Sequence, residues 1–135
     1  MPKTVDHWDQ LEADGFRNRF SCCFPYEHIF APIPPTWSTR EVSLPDHRAQ
    51  VSLEAETLLL ALREAEDMLS TLDGALYLHC FAGQERSVLM AIGLLCIVEG
   101  KNLFDSIAYV RQCHNNAKPL FSHLDLLEQV LKSRV

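Results

Sequence analysis

The sequence predicts an α/β fold of three layers, in which helices flank a small, mostly parallel central sheet. Two strand-like segments lie near the N-terminus, a short apolar strand lies between two helical segments, and the last third of the chain has helical periodicity. Strands that alternate with helices in this way favour a parallel sheet covered by helices. The 135 residues suit one hydrophobic core, so we expect a single domain over residues 1–135.

The N-terminal part is predicted to contain a short helix and two strands. The helix runs from Val5 to Asp14 and ends at Gly15, and the alternating segment from Phe16 to Phe24 is typical of a strand. Four prolines between residues 25 and 35 then exclude regular structure across a loop. A second strand is expected from Arg40 to Leu44, before the turn-forming residues 45–47.

A long helix is predicted from Ser52, because apolar residues recur at spacings of four and three along one face. The residues of this face are Leu58, Leu62, Ala65, Leu69 and Leu72. Gly74 ends the helix, and Ala75–His79 is typical of a strand buried on both faces. Three further helices are predicted at Ser87–Glu99, Leu103–His114 and His123–Ser133, with Gly100, Asn102 and Ser122 as stop or cap residues.

Charge and composition exclude several classes of partner and location. The net charge is −6 and the basic residues are scattered, which argues against binding to nucleic acid or to an anionic membrane. The uncharged apolar stretch Val88–Val98 is too short to span a bilayer. We expect a cytoplasmic protein, because no apolar signal segment follows Met1 and the five cysteines, an odd number, do not suggest a disulfide framework.

Five residues at the end of the central strand indicate phosphate-ester chemistry. They are His79, Cys80, Gly83, Arg86 and Ser87. Such a set arises by chance at on the order of 10⁻⁶ per start position. A cysteine between a strand end and a helix N-terminus faces converging backbone N–H groups and the positive end of the helix dipole. Both a thiolate and a phosphate dianion are stabilised there.

Each of these residues has an expected role. Gly83 suits a backbone position that needs positive φ or a close approach, and Arg86 can hold two phosphate oxygens. Ser87 can donate its hydroxyl to the Cys80 sulfur, and His79 can orient the loop by hydrogen bonding. Three alternatives stay open: Cys80 as a small buried hydrophobe, Ser87 as a helix N-cap, and His79 as a core histidine without catalytic effect.

The departing oxygen of a phosphate ester also needs a proton, so a general acid should lie on another loop at the same edge of the sheet. Asp46 follows a predicted strand, and the carboxyl ends of parallel strands meet at one edge. Asp67 and Asp73 belong to the intervening helix or its end and are less well placed. The alternative for Asp46 is a turn-forming role after Pro45.

The segment His79–Ser87 resembles the signature His-Cys-x-x-Gly-x-x-Arg-Ser/Thr of the cysteine-dependent protein-tyrosine and dual-specificity phosphatase superfamily, and the chain is similar in length to the compact dual-specificity type. The resemblance implies a phosphatase-type fold and the hydrolysis of phosphomonoesters, on phosphotyrosine or phosphoserine and phosphothreonine of proteins. It makes Cys80 the nucleophile, Asp46 the acid and then the base, and Ser87 the thiolate stabiliser, and it requires no metal or cofactor. The phosphate cradle would comprise Phe81, Ala82, Gly83, Gln84, Glu85 and Arg86.

Glu85 departs from this resemblance, since many family members carry a small or neutral residue there. We expect its carboxylate to point outward and to pair with a base such as Arg48. A glutamine that positions the hydrolytic water cannot be placed, and Asn115 and Asn116 are weak candidates.

Four alternative functions stay open. They are a phosphoinositide or other non-protein phosphatase, a catalytically weak phosphate-binding protein, a sulfurtransferase and an arsenate reductase. The five-residue gap between Cys80 and Arg86 weighs against the last two. Phosphoproteins are the favoured substrates, because the acidic surface lacks the basic patches expected of an inositol-lipid enzyme.

Overall fold

The computed structural model describes residues 5–27, 32–71 and 75–134. In chain order the elements are α1 (Val5–Ala13), β1 (Phe16–Ser21), a 3₁₀ helix (Pro25–Glu27), β2 (Ser38–Glu41), α2 (Ala55–Thr71), β3 (Ala75–His79), α3 (Arg86–Val98), α4 (Leu103–Cys113) and α5 (Phe121–Ser133). None of the described helices is both long enough and apolar enough to cross a bilayer.

The sheet has three parallel strands in the order β2-β1-β3. Ser21 of β1 is in register with His79 on one side and Glu41 on the other. Past β2 the ladder continues, because the N–H groups of Val42 and Leu44 donate to the carbonyls of Ser21 and Cys22, both at 3.0 Å. The loops after β2 and β3 therefore emerge at the same carboxyl edge of the sheet.

Helices cover both faces of this sheet, so the predicted three-layer α/β fold is confirmed. On one face, Trp8 of α1 makes edge-to-face contacts with Trp37 and Tyr77, with ring centroids 5.0 and 6.3 Å apart. On the other face, Phe20 and Leu78 belong to one apolar cluster with side chains of α2, α3 and α5. Burial of this cluster is the main force that assembles the layers.

Gly93 sets how closely the helices of the second layer approach one another. A Cβ atom at this position would lie 2.7 Å from Leu62 Cδ2 and 3.1 Å from Leu127 Cδ1, closer than normal packing allows. Glycine thus lets α3 pack against α2 and α5 at short range. Because α3 begins at Arg86, this packing also fixes the position of Arg86 and of the first turn of the helix.

Several predicted boundaries shift in the structure. β1 ends at Ser21 instead of Phe24, since the chain turns into the 3₁₀ helix, and β2 is Ser38–Glu41 instead of residues 40–44. The helix predicted from Ser52 begins at Ala55. Three predictions fall outside the described residues. They are the contact of Leu72, the helix end at Gly74 and the position of Asp73.

The predicted caps of the C-terminal helices give mixed results. Asn102 caps α4, because its side chain accepts a hydrogen bond from the Asp105 N–H at 2.8 Å. Gly100 has the expected positive φ, at 68°. Ser122 as the cap of α5 is wrong: this helix begins at Phe121, and Leu120 is the residue before it.

Candidate active site

Cys80 lies at the start of the loop between β3 and α3, which we call the cradle loop (residues 80–86). Its thiol is buried, with Sγ 3.2 Å from Ser87 Oγ and 3.3 Å from the Gly83 N–H. Burial alone would raise the pKa of Cys80, but hydrogen bonds from Ser87 and Gly83 and the charge of Arg86 outweigh it. The pKa of Cys80 lies below that of an ordinary thiol, which favours the thiolate.

Gly83 shapes the cradle loop through its backbone conformation. Its φ is +71°, and a Cβ atom there would meet nothing within 4 Å, so the positive φ and not a close approach selects glycine. The Gly83 carbonyl accepts a hydrogen bond from His114 Nε2 at 2.6 Å, and the Gln84 carbonyl accepts one from the Lys118 N–H at 2.7 Å. The α4–α5 connection therefore braces the loop from outside.

Ser87 does not cap α3. The helix starts at Arg86, and the residue before it, Glu85, makes no side-chain capping bond. Ser87 lies in the first turn, where its hydroxyl makes the predicted contact with Cys80. In the thiolate form of Cys80, this hydroxyl is the donor.

Arg86 is almost fully buried, and the carboxylate of Glu27 binds one end of its guanidinium. Nη1 and Nη2 donate to the two oxygens of Glu27, both at 2.8 Å, and Nη1 also donates to the carbonyls of Leu44 and Cys22. Nε is buried and has no hydrogen-bond partner among the described residues. Since a guanidinium has five N–H donors, Nε–H and one Nη2–H form an edge not taken up by Glu27. Such an edge matches two oxygens of a phosphate.

Glu27 is the main site residue that the sequence did not suggest. It lies in the proline-rich segment after β1, and its carboxylate also accepts from Arg48 Nη2 at 2.9 Å and from the Phe24 N–H at 2.9 Å. The hydrogen bond from Arg86 is the main reason why the pKa of Glu27 is lowered. No local pattern marks this glutamate, because its partners are all distant in sequence or on the backbone.

His79 is held from below by a second unpredicted residue, Arg19. The fully buried Arg19 donates from Nε to His79 Nε2 at 2.9 Å, and its other nitrogens bind Thr39 and Glu41 across the sheet. Because Nε2 accepts this bond, a neutral His79 carries its proton on Nδ1, which lies 3.4 Å from the Cys80 carbonyl. The contact orients the first residue of the cradle loop. The only feature of the sequence that marked Arg19 was its position as a charged residue inside a short strand.

Cys22 lies beside this arrangement, one residue past the Ser21–His79 pair. Its N–H donates to the His79 carbonyl at 2.9 Å, and its side chain is fully buried. Burial holds the pKa of Cys22 well above its ordinary value. All five cysteines of the chain are free thiols.

Asp46 reaches the cradle loop from the segment after β2, which we call the acid loop (residues 44–48). Its Oδ1 accepts from the Arg48 N–H at 3.0 Å, and its Oδ2 accepts from Arg48 Nε at 2.8 Å and lies 3.5 Å from Arg86 Nη2. Burial would raise the pKa of Asp46, but these two arginines outweigh it and lower the pKa. Asp46 is thus a carboxylate at the Nη2 side of the Arg86 edge that Glu27 leaves open.

Three solved structures are similar to this arrangement of elements. Tk-PTP in its active form has a TM-score of 0.77 and 21% sequence identity, with 100% of this chain and 89% of that chain covered. PTPMT1 in complex with PI(5)P has a TM-score of 0.80 and 18% identity, with 98% and 87% covered. The human tyrosine phosphatase-like serine/threonine/tyrosine-interacting protein has a TM-score of 0.79 and 16% identity, with 97% and 86% covered.

The fold is that of the protein-tyrosine and dual-specificity phosphatases. No family model matches the sequence, and no curated protein matches it. The resemblance carried by residues 79–87 is therefore confirmed at the level of the fold.

Within this phosphatase fold, the pair predicted between Glu85 and Arg48 is wrong. Glu85 Oε2 accepts from the backbone N–H of His47 at 3.0 Å, and Oε1 contacts His47 Nδ1. The guanidinium of Arg48 instead bridges Asp46 and Glu27, at 2.7 and 2.9 Å. The difference arises because Arg48 folds inward to the buried Glu27, which leaves His47 facing the turn before α3.

Two further groups of polar residues lie near the cradle loop and the acid loop. Asp46, His47 and Glu85 place ligand atoms within 4.8 Å of one another, but protein hydrogen bonds already engage each of them. His123, in the first turn of α5, is buried, and its Nδ1 has no partner in the described parts of the chain. Burial lowers the pKa of His123 despite the nearby carboxylates. The weak candidates Asn115 and Asn116 are exposed between α4 and α5.

Proposed function

We propose that this protein is a cysteine-dependent phosphatase that hydrolyses phosphomonoesters through a phosphocysteine on Cys80. The observation that carries the proposal is the position of the Cys80 thiol, which receives hydrogen bonds from Ser87 and Gly83 inside the cradle loop. The buried Nε–H of Arg86, which has no partner among the described residues, supplies a second anchor for the same phosphate. The thiolate nucleophile and the planar guanidinium that would bind the phosphate thus lie in one loop.

The first chemical step transfers the phosphoryl group from the substrate oxygen to Cys80. The thiolate attacks phosphorus, the bond to the leaving oxygen breaks, and Asp46 donates a proton to that oxygen. Asp46 is ionised in the free protein, but a phosphate dianion on Arg86 adds negative charge beside it. That charge raises the pKa of Asp46 in the complex and favours the protonated acid.

The second step hydrolyses the phosphocysteine. Asp46, now a carboxylate, takes a proton from a water molecule that attacks phosphorus, and the bond between phosphorus and sulfur breaks. Ser87 donates its hydroxyl to the departing sulfur, which regenerates the thiolate. Arg86 follows the equatorial oxygens through both transition states, where charge stabilisation is largest. No metal ion takes part in this sequence.

Hydrolysis of p-nitrophenyl phosphate tests the nucleophile. We expect Cys80→Ser to lower kcat/KM by at least about 10⁴-fold, since the covalent route is lost. Cys96→Ser is the matched control, because Cys96 lies in the last turn of α3, away from the cradle loop, and it should leave activity unchanged. Mass spectrometry of acid-quenched protein should find phosphate on Cys80. Substantial turnover by Cys80→Ser would refute the proposal.

Phosphorylated proteins are the proposed substrates, in a cytoplasmic setting. One similar structure, that of PTPMT1, holds the inositol lipid PI(5)P, which makes inositol lipids the competing substrate class. Phosphotyrosine, phosphoserine and phosphothreonine peptides should be assayed beside inositol lipids. A kcat/KM higher for the lipids than for every peptide would reverse the assignment.

A second candidate function is phosphate binding with weak turnover. Arg48 and Arg86 hold Asp46 in its ionised form, and an ionised carboxylate cannot donate a proton. This candidate predicts tight binding of inorganic phosphate with slow hydrolysis even of p-nitrophenyl phosphate. Single-turnover kinetics with excess protein distinguishes the two functions.

A further inference from the structure

Glu85 occupies the last position before α3, directly beside the phosphate-binding Arg86. A carboxylate there repels a bound dianion unless its charge is engaged elsewhere. The backbone of Glu85 has φ −116° and ψ −70°, and its side chain makes no capping bond to the helix. Its carboxylate is thus available for another partner, and it is largely buried, with 14% of the side chain exposed.

That partner is His47 of the acid loop. Glu85 Oε2 accepts the backbone N–H of His47 at 3.0 Å, and Oε1 contacts the ring at Nδ1. One carboxylate thus restrains both the main chain and the side chain of a single residue. The contact joins two loops that lie 38 residues apart in sequence.

The restrained residue immediately follows Asp46. Asp46 is also bound by Arg48 on its other side, and the Ala49 N–H donates to the Asp46 carbonyl at 3.1 Å, which closes a turn. This turn is bound to Glu85 through His47 and to Glu27 through Arg48, and Asp46 itself lies 3.5 Å from Arg86. Loss of the Glu85 contact would leave the turn without its restraint at His47, the residue next to Asp46, and Asp46 would be positioned less firmly.

We infer that Glu85 and His47 form a latch that holds the acid loop against the cradle loop and positions Asp46 for proton transfer. Glu85 is then a positioning residue that acts through His47 and Asp46. The inference rests on the proposed function. Engagement by His47 also explains how an acidic residue is accommodated beside the phosphate-binding arginine.

The test uses substrates that differ in how much they need the general acid. Phenyl phosphate has a poor leaving group and p-nitrophenyl phosphate a better one, and kcat/KM reports the first phosphoryl transfer. We expect Glu85→Ala to lower kcat/KM about 10-fold for phenyl phosphate and less than about 3-fold for p-nitrophenyl phosphate. The inhibition constant of inorganic phosphate should not rise, since the cradle itself is intact.

Two further variants place the effect on the acid loop. His47→Asn keeps the backbone contact and loses the ring contact, so its loss on phenyl phosphate should be smaller than that of Glu85→Ala. Glu54→Gln, which removes an exposed carboxylate ahead of α2, should match the unmodified protein. A double-mutant cycle of Glu85→Ala with Asp46→Asn should show no added loss beyond Asp46→Asn alone.

Each contrary outcome overturns a stated claim. If Asp46→Asn slows phenyl phosphate but Glu85→Ala does not, or if their losses add fully, the latch is refuted and the catalytic assignment stands. If Glu85→Ala only tightens phosphate inhibition and changes both substrates equally, Glu85 acts on the dianion and the latch is again refuted. If Asp46→Asn has no effect, the acid assignment and the latch both fail. Activity that persists in Cys80→Ser overturns the proposed function itself.

Discussion

The cradle loop and the acid loop meet at the same site but are held by different kinds of contact. The cradle loop is fixed by buried groups, such as Arg86, whose side chain is 3% exposed, and the carboxylate of Glu27. The acid loop is fixed by partly exposed pairs, in which Arg48 is 51% and His47 60% exposed. The cradle loop thus depends on buried charges, whereas the acid loop depends on ion pairs that solvent partly reaches.

The energetic consequences of this difference are unequal. Breaking a buried ion pair by removing one partner costs about 3–5 kcal/mol, because an uncompensated charge stays behind. Exposed pairs contribute about 0–1 kcal/mol and are screened by salt. Changes in the cradle loop should therefore affect folding and every substrate, whereas changes in the acid loop should affect substrates selectively.

Apart from loss of the nucleophile itself, the largest effect is expected from Arg86→Lys. A lysine keeps the charge but loses the planar pair of donors, so kcat/KM should fall about 10³-fold for phenyl phosphate and p-nitrophenyl phosphate alike. Steady-state kinetics with both substrates is the measurement. A loss confined to phenyl phosphate would show that Arg86 acts mainly through the acid loop and not on the phosphate. That result would contradict the expected difference between the two loops.

A matched pair of variants compares the two partners of Glu27. We expect Glu27→Gln to destabilise the fold by about 3 kcal/mol, because it leaves the buried Arg86 charge unbalanced. Arg48→Gln removes an exposed partner of the same carboxylate and should cost less than about 1 kcal/mol. Urea unfolding followed by circular dichroism measures both. Equal losses would contradict the contrast between buried and exposed contacts.

The smallest change is expected from Ser87→Ala, which removes one hydrogen bond to the Cys80 sulfur. Because that bond stabilises the thiolate, its loss should raise the pKa of Cys80. At pH values below that pKa the thiolate fraction falls, so alkylation by iodoacetamide should slow, and the rate should recover at alkaline pH. Superimposable pH profiles for Ser87→Ala and the unmodified protein would exclude this role of the hydroxyl.

The sequence was most informative where the site is contiguous. Residues 79–87 lie on one strand end, one loop and one helix start, so local rules were enough to predict the conformation of Gly83 and the contact of Ser87 with Cys80. The position of Asp46 followed from the parallel topology. β2, although shorter than predicted, still guides the acid loop to the correct edge through two further hydrogen bonds.

The sequence was least informative where contacts join distant segments. Glu27 and Arg19 hold Arg86 and His79 from β1 or the turn after it, and their roles depend on which side chains the folded sheet brings together. The pairing of Glu85 failed for a related reason. The choice between His47 and Arg48 depends on the buried Glu27, which attracts the longer side chain inward.

Cys22 has a consequence for how the site tolerates oxidants. Peroxide converts a low-pKa thiolate such as that of Cys80 to a sulfenic acid, which a neighbouring thiolate can capture as a reversible disulfide. The N–H of Cys22 binds the carbonyl of His79, the residue before Cys80, but burial keeps the Cys22 thiol protonated and therefore poorly nucleophilic. Capture of the Cys80 sulfenic acid by Cys22 should therefore be slow. We expect prolonged exposure to peroxide to oxidise Cys80 further, to the irreversible sulfinic acid.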